Sequence, residues 1–289
     1  MSRIYETLRQ MEMQRGKSDP VRIESLQPVD LVNSAMTEPA EIEATSTAKV
    51  SITLKTRLVS LTDPRGLGAE KFRALVTRLE NQRKERDLKS FQITSAVVNE
   101  GKSLVSANLA VTLAKHTGSR VLLIEGDLHR PTLASLFGLG QLEGIGHWWS
   151  AREEKERISR YIYRLDEIPL WFLGAGATLD HPSQILQSAR FAEIFSRMSN
   201  WFDWVVIDST PMLPMVDSNL WSRLADGTLV VVREGVTPIH ALKKGFESLD
   251  DPKLVGIVLN EASEFDRTNY ADQYYALSGS QTNVRPLKK

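Results

Sequence analysis

The stretch FQITSAVVNEGKSLVSANLAVTLAKH, residues 91–116, opens with an apolar run, turns through Asn99–Gly101, and continues in small and apolar residues with no glycine or proline. Residues 91–96 read as a strand and the part from Leu104 onward as a helix. Between them, Ala96–Ser103 has the spacing of a phosphate-binding loop, with Ala96 in the first glycine position and Gly101-Lys102-Ser103 closing it. In such a loop the backbone N–H groups of Ala96, Val97, Val98, Asn99, Glu100, Gly101, Lys102 and Ser103 face phosphate oxygens, and the helix N-terminus adds positive potential. Lys102 would reach the β- and γ-phosphates and Ser103 would bind magnesium. Asn99 stands where a glycine is often found, and asparagine visits left-handed backbone more readily than most residues.

Working outward, strand-like and helix-like segments alternate. Helix AEKFRALVTRLENQRKER (69–86) precedes the loop, with Phe72, Leu75 and Leu79 on one face. After the loop come strands at 120–127, 169–176, 204–209, 227–234 and 254–260, with helices near 183–199 and 238–249. The strands are continuous apolar runs rather than alternating ones, so both of their faces should be covered. The expected fold class is therefore α/β, a mostly parallel sheet flanked by helices on both faces.

The ends differ from this middle. Residues 4–14 carry Ile4, Leu8, Met11 and Met13 at roughly helical spacing, and 18–50 is rich in Pro, Glu, Ser and Thr, which reads as a flexible linker outside the core. Beyond residue 262 the period is lost and the tail is polar. The expected organisation is a short helix and linker over 1–50, a nucleotide-binding domain over 51–262, and a tail over 263–289. With 36 basic and 36 acidic residues, no global field points to nucleic acid or to an anionic membrane. The absence of cysteine removes disulfides, thiolate catalysis and cysteine-ligated metals, and no stretch has the length of a membrane span, so a cytoplasmic chain is expected.

Two further strand ends carry acids. VLLIEGDLHRP puts Glu125 and Asp127 just past a strand's C-terminal end, where open parallel sheets bind ligands, and WVVIDSTP does the same for Asp208. Carboxylates there can hold magnesium or accept a hydroxyl proton, although an acid capping a helix after a strand is also common. His129 with His181, and Trp148 with Trp149, lack ligand spacing and read as packing or surface residues. Asn260 ends the last strand, where a turn residue is also expected.

The order of Ala96–Ser103, VLLIEGDLHRP, FDWVVIDSTPMLPMVD and a tyrosine-bearing tail resembles the bacterial tyrosine kinases of exopolysaccharide and capsule synthesis, P-loop proteins akin to the MinD/ParA ATPases. The resemblance spans about residues 55–276 and includes PSQIL and GIVLN, while MSRIYETL resembles the start of stand-alone members. It implies autophosphorylation on C-terminal tyrosines with ATP and Mg2+, the tail of one subunit entering a neighbour's site. Tyr270, Tyr274 and Tyr275 are the corresponding acceptors, three of the six tyrosines in the chain. It further assigns Lys102, Glu125, Asp127 and Asp208 to catalysis, with Glu125 helping to deprotonate the tyrosine. Ser103, Asp127 and Asp208 would hold the metal, Asn260 would contact adenine, and Arg130 matches the arginine that ends the second motif. Glu70 and Arg73 match the subunit-contact helix, where Val76 replaces a third charged residue. A membrane-anchored activator of the polysaccharide co-polymerase type is implied as partner, and a homo-oligomer is possible.

A second reading is a non-kinase ATPase of the MinD/ParA type, or a degenerate kinase acting as a nucleotide-gated regulatory binding module; the degenerate form draws on Val76 and on Asn99 and Glu125, which depart from the family's usual glycine and aspartate. Against the ATPase type, its signature lysine would fall at Val97.

Overall fold

The computed structural model describes residues 45–53, 56–151, 156–177, 180–249 and 253–262. The N-terminal helix expected at 4–14, most of the linker, and Tyr270, Tyr274 and Tyr275 lie outside these residues.

Strand β2 (Ser90–Ser95) sits inside an eight-stranded sheet, between β6 (Trp204–Asp208) and β7 (Gly227–Arg233). Beyond β6 come β3 (Val121–Glu125), β5 (Leu170–Leu173), β4 (Ile162–Leu165) and β1 (Ser46–Ala48); beyond β7 lies β8 (Leu254–Asn260). All neighbouring strands run parallel except β4 and β5.

The apolar runs divide by parity, as a pleated strand requires. Phe91, Ile93, Val121, Leu123, Trp204, Val206, Leu229 and Val231 face a core shared with α1 (Val59–Thr62), α2 (Leu67–Glu85), α3 (Lys102–Thr117) and α4 (Leu133–Leu136). Leu122, Ile124, Val205 and Ile207 face the opposite core with α5 (Ile145–Ser150), α6 (Pro182–Gln187), α7 (Ala189–Ser199) and α8 (Asp217–Leu224). Val230 and Val232 pack with Leu242 of α9 (Ile239–Ser248). Both faces are covered, and the sheet with its flanking helices is the fold expected from the sequence.

Three local readings change. Ser46–Ala48, which the sequence placed in the linker, form β1: Ala48 is buried and pairs with Leu165, and Asp166 holds the strand by accepting from the Val50 amide at 2.6 Å. The helix expected at 183–199 divides at Ser188, whose extended backbone ends α6 while its hydroxyl caps α7 by accepting from the Phe191 amide. Strand β4, absent from the sequence reading, returns antiparallel to β5.

Candidate functional site

The loop between β2 and α3 is shaped by two left-handed residues, Asn99 with φ of 63° and Gly101 with φ of 89°. Asn99 thus adopts the conformation that made it acceptable at a glycine position. At Gly101 a side chain is excluded twice over, by φ and because a Cβ would lie 2.2 Å from Nδ2 of Asn260. Glu100 folds inward, where its Oε2 accepts from the Val97 amide at 3.0 Å. Among the described residues, no hydrogen bond engages the amides from Val98 to Leu104. They stand open at the N-terminus of a sixteen-residue helix with no acid in its first turn, an arrangement suited to an anion.

The acids come from the next strands. Gly126 fixes their spacing: its amide donates to the Asp208 carbonyl at 2.8 Å, its own carbonyl accepts from Nε1 of Trp221 at 3.0 Å, and a Cβ there would meet Ile207, Asp208 and Trp221 within 2.9 Å. Beyond it, Asp127 accepts from the ammonium of Lys102 at 3.1 Å through Oδ2 and from the Arg130 amide at 3.0 Å through Oδ1.

Asp208 is 1% exposed. Its Oδ1 lies 3.2 Å from the Ser106 hydroxyl, but the single proton of that hydroxyl is nearer the Lys102 carbonyl, at 2.8 Å, and Oδ2 has no hydrogen-bond partner. Burial pushes the acid up to about 6, against the lowering effect of the Lys102 charge.

The Lys102 ammonium also lies 3.5 Å from the Ser103 hydroxyl, so Lys102, Ser103, Asp127 and Asp208 are gathered at one point. An orphaned buried carboxylate oxygen, a second carboxylate and a hydroxyl are hard donors that fit Mg2+, an ion that keeps waters and phosphates for its remaining positions. No group of three His, Cys, Asp or Glu that could hold a metal unaided is present among the described residues.

Glu125 is the register partner of Asp208, but its carboxylate is engaged elsewhere. Oε1 accepts from the amides of Leu133 at 2.6 Å and Ala134 at 3.4 Å, and Oε2 from that of Ala175 at 3.3 Å. Burial raises its pKa, and these amides pull it back. Glu125 also lines a cleft of about 810 Å³ with Leu139, Glu143, His147 and Phe172.

Other expected residues sort by position. Asn260 donates Nδ2 to the Glu100 carbonyl at 2.9 Å, from the outer side of the loop. Glu70 and Arg73 pair with each other on α2, and Arg73 also donates to the Pro64 carbonyl at 2.8 Å. Val76 is fully buried in the core, so its place on the helix faces inward. Trp148 packs as expected, buried against Phe191.

His129 does more than pack. Its Nε2 lies 2.8 Å from Oδ2 of Asp217, a fully buried carboxylate that also accepts from the Ser183 hydroxyl. This pair tethers the turn carrying Asp127 to α8. Asp217 and Thr237, whose hydroxyl donates to the Glu100 carboxylate, escape a reading by motif because each acts on a neighbour distant in sequence.

No family model matches the chain. It is 31% identical over 209 residues to the tyrosine-protein kinase YwqD of Bacillus subtilis, a match covering 72% of this chain and 86% of that protein. It is 30% identical over 218 residues to the succinoglycan biosynthesis transport protein ExoP of Rhizobium meliloti, covering 72% of this chain and 27% of the longer relative. The kinase domain of the Escherichia coli tyrosine kinase ETK shares the fold, with a TM-score of 0.65 at 23% identity, over 78% of this chain and 95% of that domain. With an open phosphate loop, converging strand-end acids and likeness to YwqD over most of both chains, the protein belongs to the bacterial tyrosine-protein kinase family.

Proposed function

We propose that the chain transfers the γ-phosphoryl group of ATP to tyrosine, with Tyr270, Tyr274 and Tyr275 of a neighbouring copy as acceptors, in the control of exopolysaccharide or capsule polymerisation or export. The observation that carries this reading is the placement of Lys102, Asp127 and Asp208 around a loop whose amides are open.

Phosphate oxygens fill the amides of the loop, and Lys102 moves from Asp127 to the β- and γ-phosphates. Ser103, Asp127 and Asp208 would hold magnesium, which when bound would neutralise charge on the phosphates. The phenol oxygen attacks the γ-phosphorus in line, the bond to the β–γ bridging oxygen breaks, and ADP leaves. Glu125 takes the phenol proton once its carboxylate leaves the amides of Leu133, Ala134 and Ala175 that hold it, a role favoured by the burial that raises its pKa.

No helix among the described residues is long and apolar enough to cross a membrane. In this proposal a membrane-anchored activator of the polysaccharide co-polymerase type supplies a link to the membrane. The polysaccharide-transport role in ExoP's name supports it.

The engagement of Glu125 by three amides favours one alternative, a degenerate kinase that binds nucleotide and regulates a partner. Incubation of the full chain with ATP, Mg2+ and the activator fragment, followed by phosphotyrosine mapping by mass spectrometry, separates the two. Phosphate at Tyr270, Tyr274 or Tyr275 that is absent in Lys102→Met supports the kinase. Nucleotide binding without transfer supports the alternative.

A further inference from the structure

Behind the phosphate loop, away from its open amides, Glu100 is held from three sides. It is 1% exposed. Its Oε2 accepts from the Val97 amide at 3.0 Å, within the loop itself. Its Oε1 accepts from the hydroxyl of Thr237, in the turn between β7 and α9. Its carbonyl accepts from Nδ2 of Asn260, the last residue of β8, at 2.9 Å.

Thr237 has one hydroxyl proton. Because its Oγ1 also accepts from the Arg233 amide at 2.9 Å, that proton is free to point at the carboxylate, and the direction of the contact is set. Arg233 in turn pairs with Glu261, which lies 3.6 Å from Arg57. The loop is therefore tied through Glu100 to two turns that contribute no phosphate-facing amide.

We propose that Thr237 and Asn260 are positioning residues for nucleotide binding, acting through Glu100 on the shape of the phosphate loop. The proposal rests on the reading of Ala96–Ser103 as a nucleotide cradle. Amides aimed in advance at the phosphates bind without first paying to be ordered, and a misplaced amide costs affinity even when every donor is still present.

In Thr237→Val the shape is kept, but a buried carboxylate loses a donor and the Arg233 amide loses its acceptor. In Thr237→Ser the hydroxyl remains. Asn260→Ala releases the Glu100 carbonyl at a half-buried site.

The test is the affinity of the full chain for Mg·ADP by calorimetry, with KM for ATP and kcat followed wherever transfer is seen. Thr237→Val should weaken Mg·ADP by about tenfold or more, and Asn260→Ala by about threefold or more, with KM rising while kcat holds. Thr237→Ser should stay within about twofold of the natural chain, a rescue that a purely volumetric role would not give.

Thr237→Val with natural affinity, or Thr237→Ser as weak as Thr237→Val, overturns the proposal. If Thr237→Val does not fold, natural affinity in Asn260→Ala overturns it alone. A natural chain that binds Mg·ADP but transfers no phosphate sinks the kinase reading and leaves this one to stand on the affinities. A natural chain that binds no Mg·ADP overturns both.

Discussion

Strands β2 and β3, separated in the sheet by β6, both end in turns that lead to helices, and the two turns use their amides differently. After β2, the amides from Val98 to Leu104 have no hydrogen bond among the described residues, and the one acid of the turn, Glu100, is folded behind them. After β3, the amides of Leu133 and Ala134 are already filled by Glu125, a carboxylate of the same chain. A turn becomes a site for an external anion when its own acid is directed elsewhere; where the acid is turned inward to the amides, the result is a fixed wall. The extra methylene of Glu125 relative to aspartate lengthens the arm that makes this second arrangement.

The comparison can be broken at the first turn with the largest effect. Lys102→Met should lower tyrosine phosphorylation on the order of a hundred- to a thousandfold, read as initial rates at saturating ATP, because it removes a preorganised charge at the transferring phosphate. An unchanged rate would move the chemistry away from this turn.

Asp208→Asn should sharpen it next, with effects of opposite sign on stability and binding. The fold favours the protonated acid at Asp208, so the contribution of this group to stability is full below its ordinary value of 3.8 and is lost as pH climbs through about 6. Above that window the ionised acid costs about 3 kcal/mol. The metal-free variant should therefore melt higher than the natural chain at pH 7.5 and bind Mg·ADP more weakly, while at pH 3.5 the difference in melting should shrink. Denaturation scans at the two pH values check the sign.

At the second turn, Glu125→Gln should cost about 2 kcal/mol of unfolding free energy, because an amide offers one acceptor oxygen where three N–H groups now share two. Urea titration measures this. A loss of similar size, about 2 kcal/mol, is expected from Gly126→Ala, whose added methyl must displace Ile207, Trp221 and the Asp208 carbonyl together.

Much of the framework was legible in the sequence for reasons visible in the structure. Strands such as VLLIE and WVVID are apolar at every position before their terminal acid because both faces are buried, and that pattern is local. Strand β8 was read over the residues it occupies, 254–260. Strand β1, Ser-Thr-Ala, carries no such signal: it exists because β4 pairs with it and Asp166 holds the following residue. The site divides along the same line. Lys102 and Asp127 follow strands and Asp208 ends one, at positions that topology brings together, whereas the inward turn of Glu100 and the His129–Asp217 contact depend on partners 137 and 88 residues away.

The most direct test of the account is a crystal structure of the full chain with Mg·ADP. The phosphates should sit over the amides between Val98 and Ser103, with Lys102 withdrawn from Asp127 and the metal beside Ser103 and Asp208. Phosphates bound elsewhere, with the Lys102–Asp127 pair intact, would contradict it.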